Sequence, residues 1–333
     1  MIRPLLLLFF LTTFVPAYAT EPCTKATPDC SEWVNLRSQA RALVYRTYAL
    51  ETKNEAIKRV LIVIHGANRD ADNYFRTALA ATFLANAFPD TIVIAPRFAS
   101  NDGRGCKDTL APNEINWGCS GDSWRSGGVA INSQVTSYDL TDEILRKVVR
   151  KEIFPNLKAI VLVGHSAGGQ YVTRYEMANQ VHGKLGVAIT YVVSNPSSYA
   201  YLDPERPSGG NNELRPFGDA RNCTTYDNWP YGLKNRSGYT AKLSDEQLRT
   251  QLSARPVTYL LGELDILPLG GFDSSCPAMA QGPTRLARGQ TFAAYVNAKY
   301  KAQHKAVVVP LCGHNARCMF TAEVALPILF PKT

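Results

Sequence analysis

Five residues, Gly164-His165-Ser166-Ala167-Gly168, set a serine between two glycines in the pattern typical of a nucleophile on a sharp turn. A serine hydroxyl is a weak nucleophile at neutral pH and needs a neighbouring base to take its proton. Two residues further along the chain have suitable side chains, a carboxylate at Asp265 and an imidazole at His314. Together these residue types indicate acyl-transfer chemistry.

The residues around Ser166 predict the local structure that this chemistry requires. The apolar run 159–163 predicts a buried strand, and residues 170–179 predict a helix. Gly164 and Gly168 leave room for the neighbouring strand and helix. The start of the helix would offer free N–H groups to a developing oxyanion. A phosphate-binding loop is excluded, because no Lys-Ser or Lys-Thr pair follows the second glycine.

Buried strands alternate with helices along most of the chain. Apolar runs predict strands at 43–50, 58–65, 91–95, 159–163, 186–193, 256–261 and 306–311. Helical spacing occurs at 70–88, 138–151, 170–179, 245–253 and 284–300. The first strand alternates in part, and we place it at an edge of the sheet. This order predicts an α/β fold with a mostly parallel sheet and helices on both faces, which binds ligands beyond the carboxyl ends of its strands.

Four of the predicted strands end in chemically useful residues. These ends are His65-Gly66-Ala67, Ser166, Gly262-x-x-Asp265 and Gly313-His314. On these residues, the chain resembles the α/β-hydrolase fold superfamily over roughly 58–330, in a secreted, esterase-like branch with polar loops that act as a lid. The order serine, acid, histidine is the one expected of that architecture.

The resemblance implies a role for each residue. Ser166 would attack the carbonyl carbon, His314 would carry the proton, and Asp265 would orient the imidazole. The N–H of Ala167, together with that of Ala67 or Gly66, would bind the oxyanion. The segment His65-Gly66-Ala67 departs from the run of glycines found in the best-marked members of the superfamily.

Other residues could fill two of these roles. Glu263 and Asp273 are alternatives to Asp265 as the orienting acid. The remaining histidines are His65, in the oxyanion segment, His165, inside the turn, and His182 and His304, on or beside helices. His65 is assigned a structural role in that segment, and the His165 side chain is expected to turn away from the substrate. His182 and His304 follow no strand end, so His314 is the predicted base.

The chain begins with features of an exported protein. Residues 1–19 have a short basic head, an apolar run and an Ala-x-Ala end, which together predict a signal peptide cleaved after Ala19. Residues 20–333 are predicted to form a single domain, with lid-like insertions near 97–135 and 194–244. The formal charge of +8 becomes +7 without Arg3, and the positive residues are scattered. This distribution favours a solvated surface over nucleic-acid binding, and no run is long enough to insert stably into a membrane.

Eight cysteines in an exported chain predict disulfide bonds. Of the 105 possible pairings, we predict pairing in order along the chain. The pairs are Cys23–Cys30, Cys106–Cys119, Cys223–Cys276 and Cys312–Cys318. A metal site at Cys312, His314 and Cys318 is disfavoured, because it lacks the paired spacing of structural zinc sites.

The sequence therefore predicts a secreted serine hydrolase that acts on a small-molecule or polymeric carboxylic ester and needs no cofactor or metal. An amidase or peptidase would use the same residues, and a catalytically silent binding module would keep the same fold. Aromatic residues of the irregular stretches could line a substrate pocket, although local packing is the simpler interpretation. They are Trp117, Trp124, Tyr199, Tyr201 and Trp229. Chain length of the acyl group and oligomeric state are left open.

Overall fold

The computed structural model of the 333-residue chain describes residues 21–119, 123–208 and 213–333. The predicted signal peptide, residues 1–19, lies outside the described residues. In the described ranges, no helix is both long enough and apolar enough to cross a bilayer.

One eight-stranded sheet forms the centre of the molecule, with the strand order β1-β2-β4-β3-β5-β6-β9-β10. Its strands are β1 (Ser31–Asn35), β2 (Arg41–Arg46), β3 (Arg59–Ile64), β4 (Thr91–Pro96), β5 (Ala159–His165), β6 (Ala188–Ser194), β9 (Val257–Gly262) and β10 (Lys305–Val309). β1 and β2 pair with each other in antiparallel register, β2 pairs with β4 in the same way, and the other pairs are parallel. The predicted mostly parallel sheet is confirmed.

The predicted position of the first strand is wrong. β2 covers only the beginning of the predicted range 43–50 and lies inside the sheet, between β1 and β4. The edge is formed by β1, in which only Val34 is buried. Such a half-exposed strand has no apolar run, so its sequence gives little sign that it joins the sheet.

Helices cover both faces of the sheet, as predicted. They are α1 (Ala71–Leu84), α2 (Ser137–Val148), α3 (Ala167–Ala178), α4 (Asp245–Ala254), α5 (Cys276–Met279), α6 (Arg285–Tyr300), α7 (Ala316–Thr321) and α8 (Leu326–Leu329). Alternate residues of β3 divide between two apolar clusters. Ile62 belongs to the cluster that includes residues of α2, α3, α4 and α6, whereas Leu61 and Val63 belong to the one that includes residues of α1, α7 and α8. Because successive side chains of a strand point to opposite faces of the sheet, an apolar core forms on each face.

Four disulfide bonds join the cysteines in the predicted order. They are Cys23–Cys30, Cys106–Cys119, Cys223–Cys276 and Cys312–Cys318. The second bond closes a loop within the irregular stretch 97–135, and the third ties the stretch 194–244 to α5. The stretch 194–244 also contains a hairpin of β7 (Glu205–Ser208) and β8 (Glu213–Pro216).

The aromatic residues of these stretches pack locally. Trp117, Trp124, Tyr199 and Tyr201 are fully buried in the larger apolar cluster. Trp229 is partly buried, and its indole N–H donates to the carbonyl oxygen of Ser126 at 3.0 Å. These contacts favour the packing interpretation over a pocket lined by these rings.

A buried carboxyl group in α3 makes stability depend on pH. Glu176 is fully buried, and within the described ranges neither of its carboxylate oxygens has a hydrogen-bond partner. Burial raises the pKa of Glu176 well above its ordinary value, and Arg255 opposes this shift only in part. A carboxyl whose folded-state pKa is raised stabilises the fold fully below the unfolded pKa of about 4.3, and this contribution is lost as the pH rises.

We therefore expect Glu176→Gln to gain stability relative to the unaltered protein as the pH rises. The amide avoids ionisation of a buried group, so the difference in free energy of unfolding between about pH 5 and pH 8 should be on the order of 1 kcal/mol. Denaturant unfolding at both pH values measures it. Glu246→Gln, at an exposed position of α4, is the control and should show no such difference. Equal pH dependence of Glu176→Gln and the unaltered protein would contradict the assignment.

Candidate active site

Ser166 occupies the turn between β5 and α3. Its backbone has φ 59° and ψ −118°, a left-handed conformation that L-residues adopt only where the surroundings impose it. Its N–H donates to the carbonyl oxygen of Ser194, at the end of β6, at 2.9 Å. A side chain on Gly164 would overlap the carbonyl oxygen of Gly168, so the first glycine of the motif is sterically required.

The structure brings Ser166, His314 and Asp265 together in one chain of hydrogen bonds, the Ser–His–Asp array. His314 Nε2 lies 2.9 Å from Ser166 Oγ, and His314 Nδ1 lies 2.8 Å from Asp265 Oδ2. Asp265 is buried, whereas the His314 side chain retains 11% exposure. A serine hydroxyl, an imidazole and a carboxylate in this order can pass a proton from the hydroxyl to the imidazole.

Contacts between three loops hold the array in place. Asp265 follows β9 and His314 follows β10, and the N–H of Leu264 donates to the carbonyl oxygen of Cys312 at 2.9 Å. The side chain of Asn195, after β6, accepts from the N–H of Gly262 at 2.8 Å and donates to the carbonyl oxygen of Gly313 at 3.2 Å. The loops after β6, β9 and β10 are thus joined directly behind the array.

The alternative acids have other partners. Glu263 Oε2 accepts from the N–H of Leu311 at 2.8 Å, and Asp273 Oδ2 accepts from the Tyr231 hydroxyl at 2.8 Å. Asp265 is therefore the carboxylate that contacts the His314 ring.

The other histidines are engaged elsewhere. His182 Nδ1 lies 3.0 Å from the hydroxyl of Tyr191, and His304 Nδ1 lies 2.9 Å from that of Tyr259. His65 accepts from the N–H of Phe98 through Nε2 at 3.1 Å, and burial lowers the pKa of His65 to about 4.

His165 lies directly beside the array. Its ring centroid is 4.7 Å from that of His314, and its Nδ1 lies 3.0 Å from the Tyr74 hydroxyl. Burial lowers the pKa of His165 well below its ordinary value, and His314 and Arg285 shift it in the same direction. A neutral ring in this position adds no positive charge next to His314.

The segment after β3 lines the same cleft as His314. Gly66 and Ala67 line the same cleft as Ser166, and a side chain on Gly66 would meet the Tyr74 hydroxyl at 2.7 Å. Ala167 is the first residue of α3, where backbone N–H groups have no partner within the helix. Within the described residues, the N–H groups of Ala67 and Ala167 donate to no other backbone group.

An open cleft of about 760 Å³ gives access to Ser166 and His314. Polar residues in α1 and α7, and in the segments just before these helices, form much of its walls. They include Asn68, Asp70, Asn73, Thr77, Asn315, Arg317 and Thr321. Such a cleft suits polar groups close to the scissile bond better than it suits a long alkyl chain.

No metal-binding cluster of three or more His, Cys, Asp or Glu residues occurs in the described ranges. Cys312 and Cys318 are joined in a disulfide bond, so their sulfur atoms cannot act as thiolate ligands beside His314.

Sequence reasoning missed three residues next to the array: Tyr74, Asn195 and Arg285. Tyr74 and Asn195 are described above, and Arg285 Nη1 lies 3.2 Å from the second carboxylate oxygen of Asp265. Arg285 is one of 36 lysines and arginines and carries no motif, so only its position in the fold sets it apart.

Comparisons with known proteins agree with this architecture. The model of the alpha/beta hydrolase family matches residues 61–325. The poly(3-hydroxybutyrate) depolymerase LpqC from Bordetella parapertussis is 22% identical with a TM-score of 0.61, over 90% of this chain and 89% of that one. Poly(aspartic acid) hydrolase-1 from Sphingomonas sp. KT-1 is 22% identical with a TM-score of 0.63, over 90% and 97%. No curated protein matches the sequence significantly. The family match and the shared fold confirm the resemblance inferred from the motifs.

The turn at Ser166 predicts a strong dependence on Gly168. Alanine normally favours a helix over glycine, but a Cβ at position 168 would lie 2.7 Å from the carbonyl oxygen of His65 and closer still to that of Ile64. We expect Gly168→Ala to lower the free energy of unfolding by about 3 kcal/mol, measured by denaturant unfolding.

The matched control is Gly183→Ala, because a Cβ at this exposed glycine would have no atom within 4 Å. Its effect should stay within about 0.5 kcal/mol. Equal stability of the two variants would contradict the close approach of backbone at the turn.

Proposed function

This chain belongs to the alpha/beta hydrolase family, and on that basis we propose that it is an exported serine hydrolase that cleaves carboxylic esters. The observation that carries the proposal is the hydrogen-bonded chain from Ser166 Oγ through both ring nitrogens of His314 to Asp265. Eight cysteines paired in four disulfide bonds support export, because such bonds persist in oxidising compartments.

In the proposed reaction, Ser166 Oγ attacks the ester carbonyl carbon while its proton passes to His314 Nε2. The tetrahedral intermediate collapses, and the alkoxide leaves as an alcohol with the proton from His314. A water molecule then gives a proton to His314 and attacks the acyl-enzyme. Collapse of the second intermediate releases the acid and returns the proton to Ser166. Asp265 holds the imidazole in the required tautomer and stabilises its charged form throughout.

The N–H groups of Ala167 and Ala67 are the proposed donors to the oxyanion of each intermediate. Ala167 supports this role because it begins α3, where the helix dipole adds positive potential. Ala67 supports it because it lines the cleft beside Ser166.

The proposed substrates are esters with a short or polar acyl part, either small molecules or the exposed chains of a polymer. The open, polar cleft supports this choice. A polymeric substrate is also suggested by the depolymerase and the poly(aspartic acid) hydrolase that share the fold. We propose an ester rather than an amide because the alkoxide of an ester leaves more readily than the amine of an amide, which must be protonated first.

The first test is a series of chromogenic esters of increasing acyl length, given to the mature, oxidised protein. We expect short acyl chains to be hydrolysed best, and Ser166→Ala to lower kcat at least about 10⁴-fold, because the nucleophile is lost. Ser253→Ala, on α4 and away from the cleft, is the control and should keep full activity. Activity that survives Ser166→Ala would overturn the proposed nucleophile, whereas cleavage of peptides but not esters would favour an amidase.

A second test separates Asp265 from the alternative acids. We expect Asp265→Asn to lower kcat about 10³- to 10⁴-fold, because an amide favours the wrong imidazole tautomer. Glu263→Gln and Asp273→Asn should change kcat less than about tenfold, since neither side chain contacts His314. Steady-state kinetics on the preferred ester measure all three. A larger loss for either control would assign the acid to that residue.

A further inference from the structure

Arg285 lies behind the Ser–His–Asp array, at the first position of α6. Its side chain is fully buried, and each of its three guanidinium nitrogens has a partner. Nη1 donates to Asp265 Oδ1 at 3.2 Å, Nη2 to the carbonyl oxygen of Gly270 at 3.0 Å, and Nε to Ser197 Oγ at 2.7 Å. Its contacts therefore reach the loops after β6 and β9 at once.

The two carboxylate oxygens of Asp265 are divided between two partners. Oδ2 lies 2.8 Å from His314 Nδ1, and Oδ1 receives the Arg285 hydrogen bond. The exposed fractions of the Asp265 and Arg285 side chains are 1% and 0%, so water does not compete for either oxygen. Rotation of the carboxylate would break both contacts, and a buried carboxylate without a cation would be costly.

Arg285 also fixes the segment that packs against the His314 ring. Gly270, whose carbonyl oxygen accepts from Arg285, has φ +59°, and its Cα faces His314 so closely that a Cβ there would lie 2.9 Å from His314 Cδ2. The backbone of α6 adds a further link, because the N–H of Leu286 donates to the carbonyl oxygen of Asp265 at 3.3 Å.

We propose that Arg285 is a positioning residue of the hydrolytic site: it holds the Asp265 carboxylate in the orientation in which Oδ2 faces His314 Nδ1. This inference rests on the proposed serine hydrolase function. Arg285 touches neither Ser166 nor the cleft, so its effect on the reaction passes through Asp265.

Arg288 is a matched control on the same helix. It is equally buried, and its guanidinium lies over the Phe272 ring at 4.4 Å, as that of Arg285 does at 5.2 Å. Its hydrogen bonds go to backbone carbonyl groups, among them those of Gly282 and Asp273, and to the sulfur of Met279. Removing Arg288 thus tests the loss of a buried arginine that has no contact with the array.

The experiment compares Arg285→Met, Arg285→Lys and Arg288→Met in the full-length mature protein. Thermal unfolding reports stability, and a phosphonate that labels Ser166 counts competent sites. We expect Arg285→Met to lower kcat per labelled site about 10- to 100-fold with KM changed less than about twofold, because misplacement affects the reaction step. Arg285→Lys, which keeps the charge but fewer hydrogen bonds, should recover part of that loss. Arg288→Met should leave kcat per site within about twofold, whatever its stability.

A double-mutant cycle with Asp265→Asn tests the route of the effect. If Arg285 acts through the Asp265 carboxylate, Arg285→Met should cost kcat little in the Asp265→Asn background. An equal loss in both backgrounds, or equal losses for Arg285→Met and Arg288→Met, would overturn the positioning role. An unaltered protein that neither hydrolyses esters nor reacts with the phosphonate at Ser166 would overturn the proposed function and this inference with it. If Arg285→Met does not fold, the split between kcat and KM in Arg285→Lys decides the question.

Discussion

The parallel register of β5, β6, β9 and β10 is the constraint on which the candidate site depends. His165 pairs with Ser194, Ser194 pairs with Leu260, and Gly262 pairs with Val309. The four strands therefore end at nearly one level, and the loops that follow them, which carry Ser166, Asn195, Asp265 and His314, meet at one edge of the sheet. A slip of one residue in any pair would turn every side chain of that strand to the opposite face, and the Ser–His–Asp array would be separated.

Beyond the strand ends, the array is held by contacts between loops. Asn195 bridges the loops after β9 and β10, the Cys312–Cys318 bond closes the segment that carries His314, and Arg285 joins Asp265 to Gly270 and Ser197. Each of these groups is buried or covalently fixed. The candidate site is thus assembled from distant parts of the chain, and these contacts restrict the rotamers of its side chains.

Features of the fold that depend on neighbouring residues could be predicted from the sequence, whereas features that depend on contacts between distant parts of the chain could not. The strand and helix around Ser166 and the parallel sheet follow from short-range patterns, and the structure confirms them. The pairing of the cysteines in order along the chain is also confirmed, although no short-range pattern determines it. The roles of Ser166, Asp265 and His314 stay predictions, although the residues lie together. β1 was not predicted, because only Val34 in it is buried. The position of Arg285 beside the array was not predicted either, because its contacts with two loops form only in the folded chain.

The cleft walls come from a different part of the architecture than the array does. α1, α7 and the segments just before them supply much of the walls, and both helices pack in the smaller apolar cluster, on the face of the sheet opposite α6 with its Arg285. The side chains of the wall residues Asn73 and Arg317 line the cleft and make none of the hydrogen bonds that hold Asp265 and His314. Substitutions of wall side chains can therefore change which molecules the cleft accepts without disturbing the hydrogen bonds of the Ser–His–Asp array.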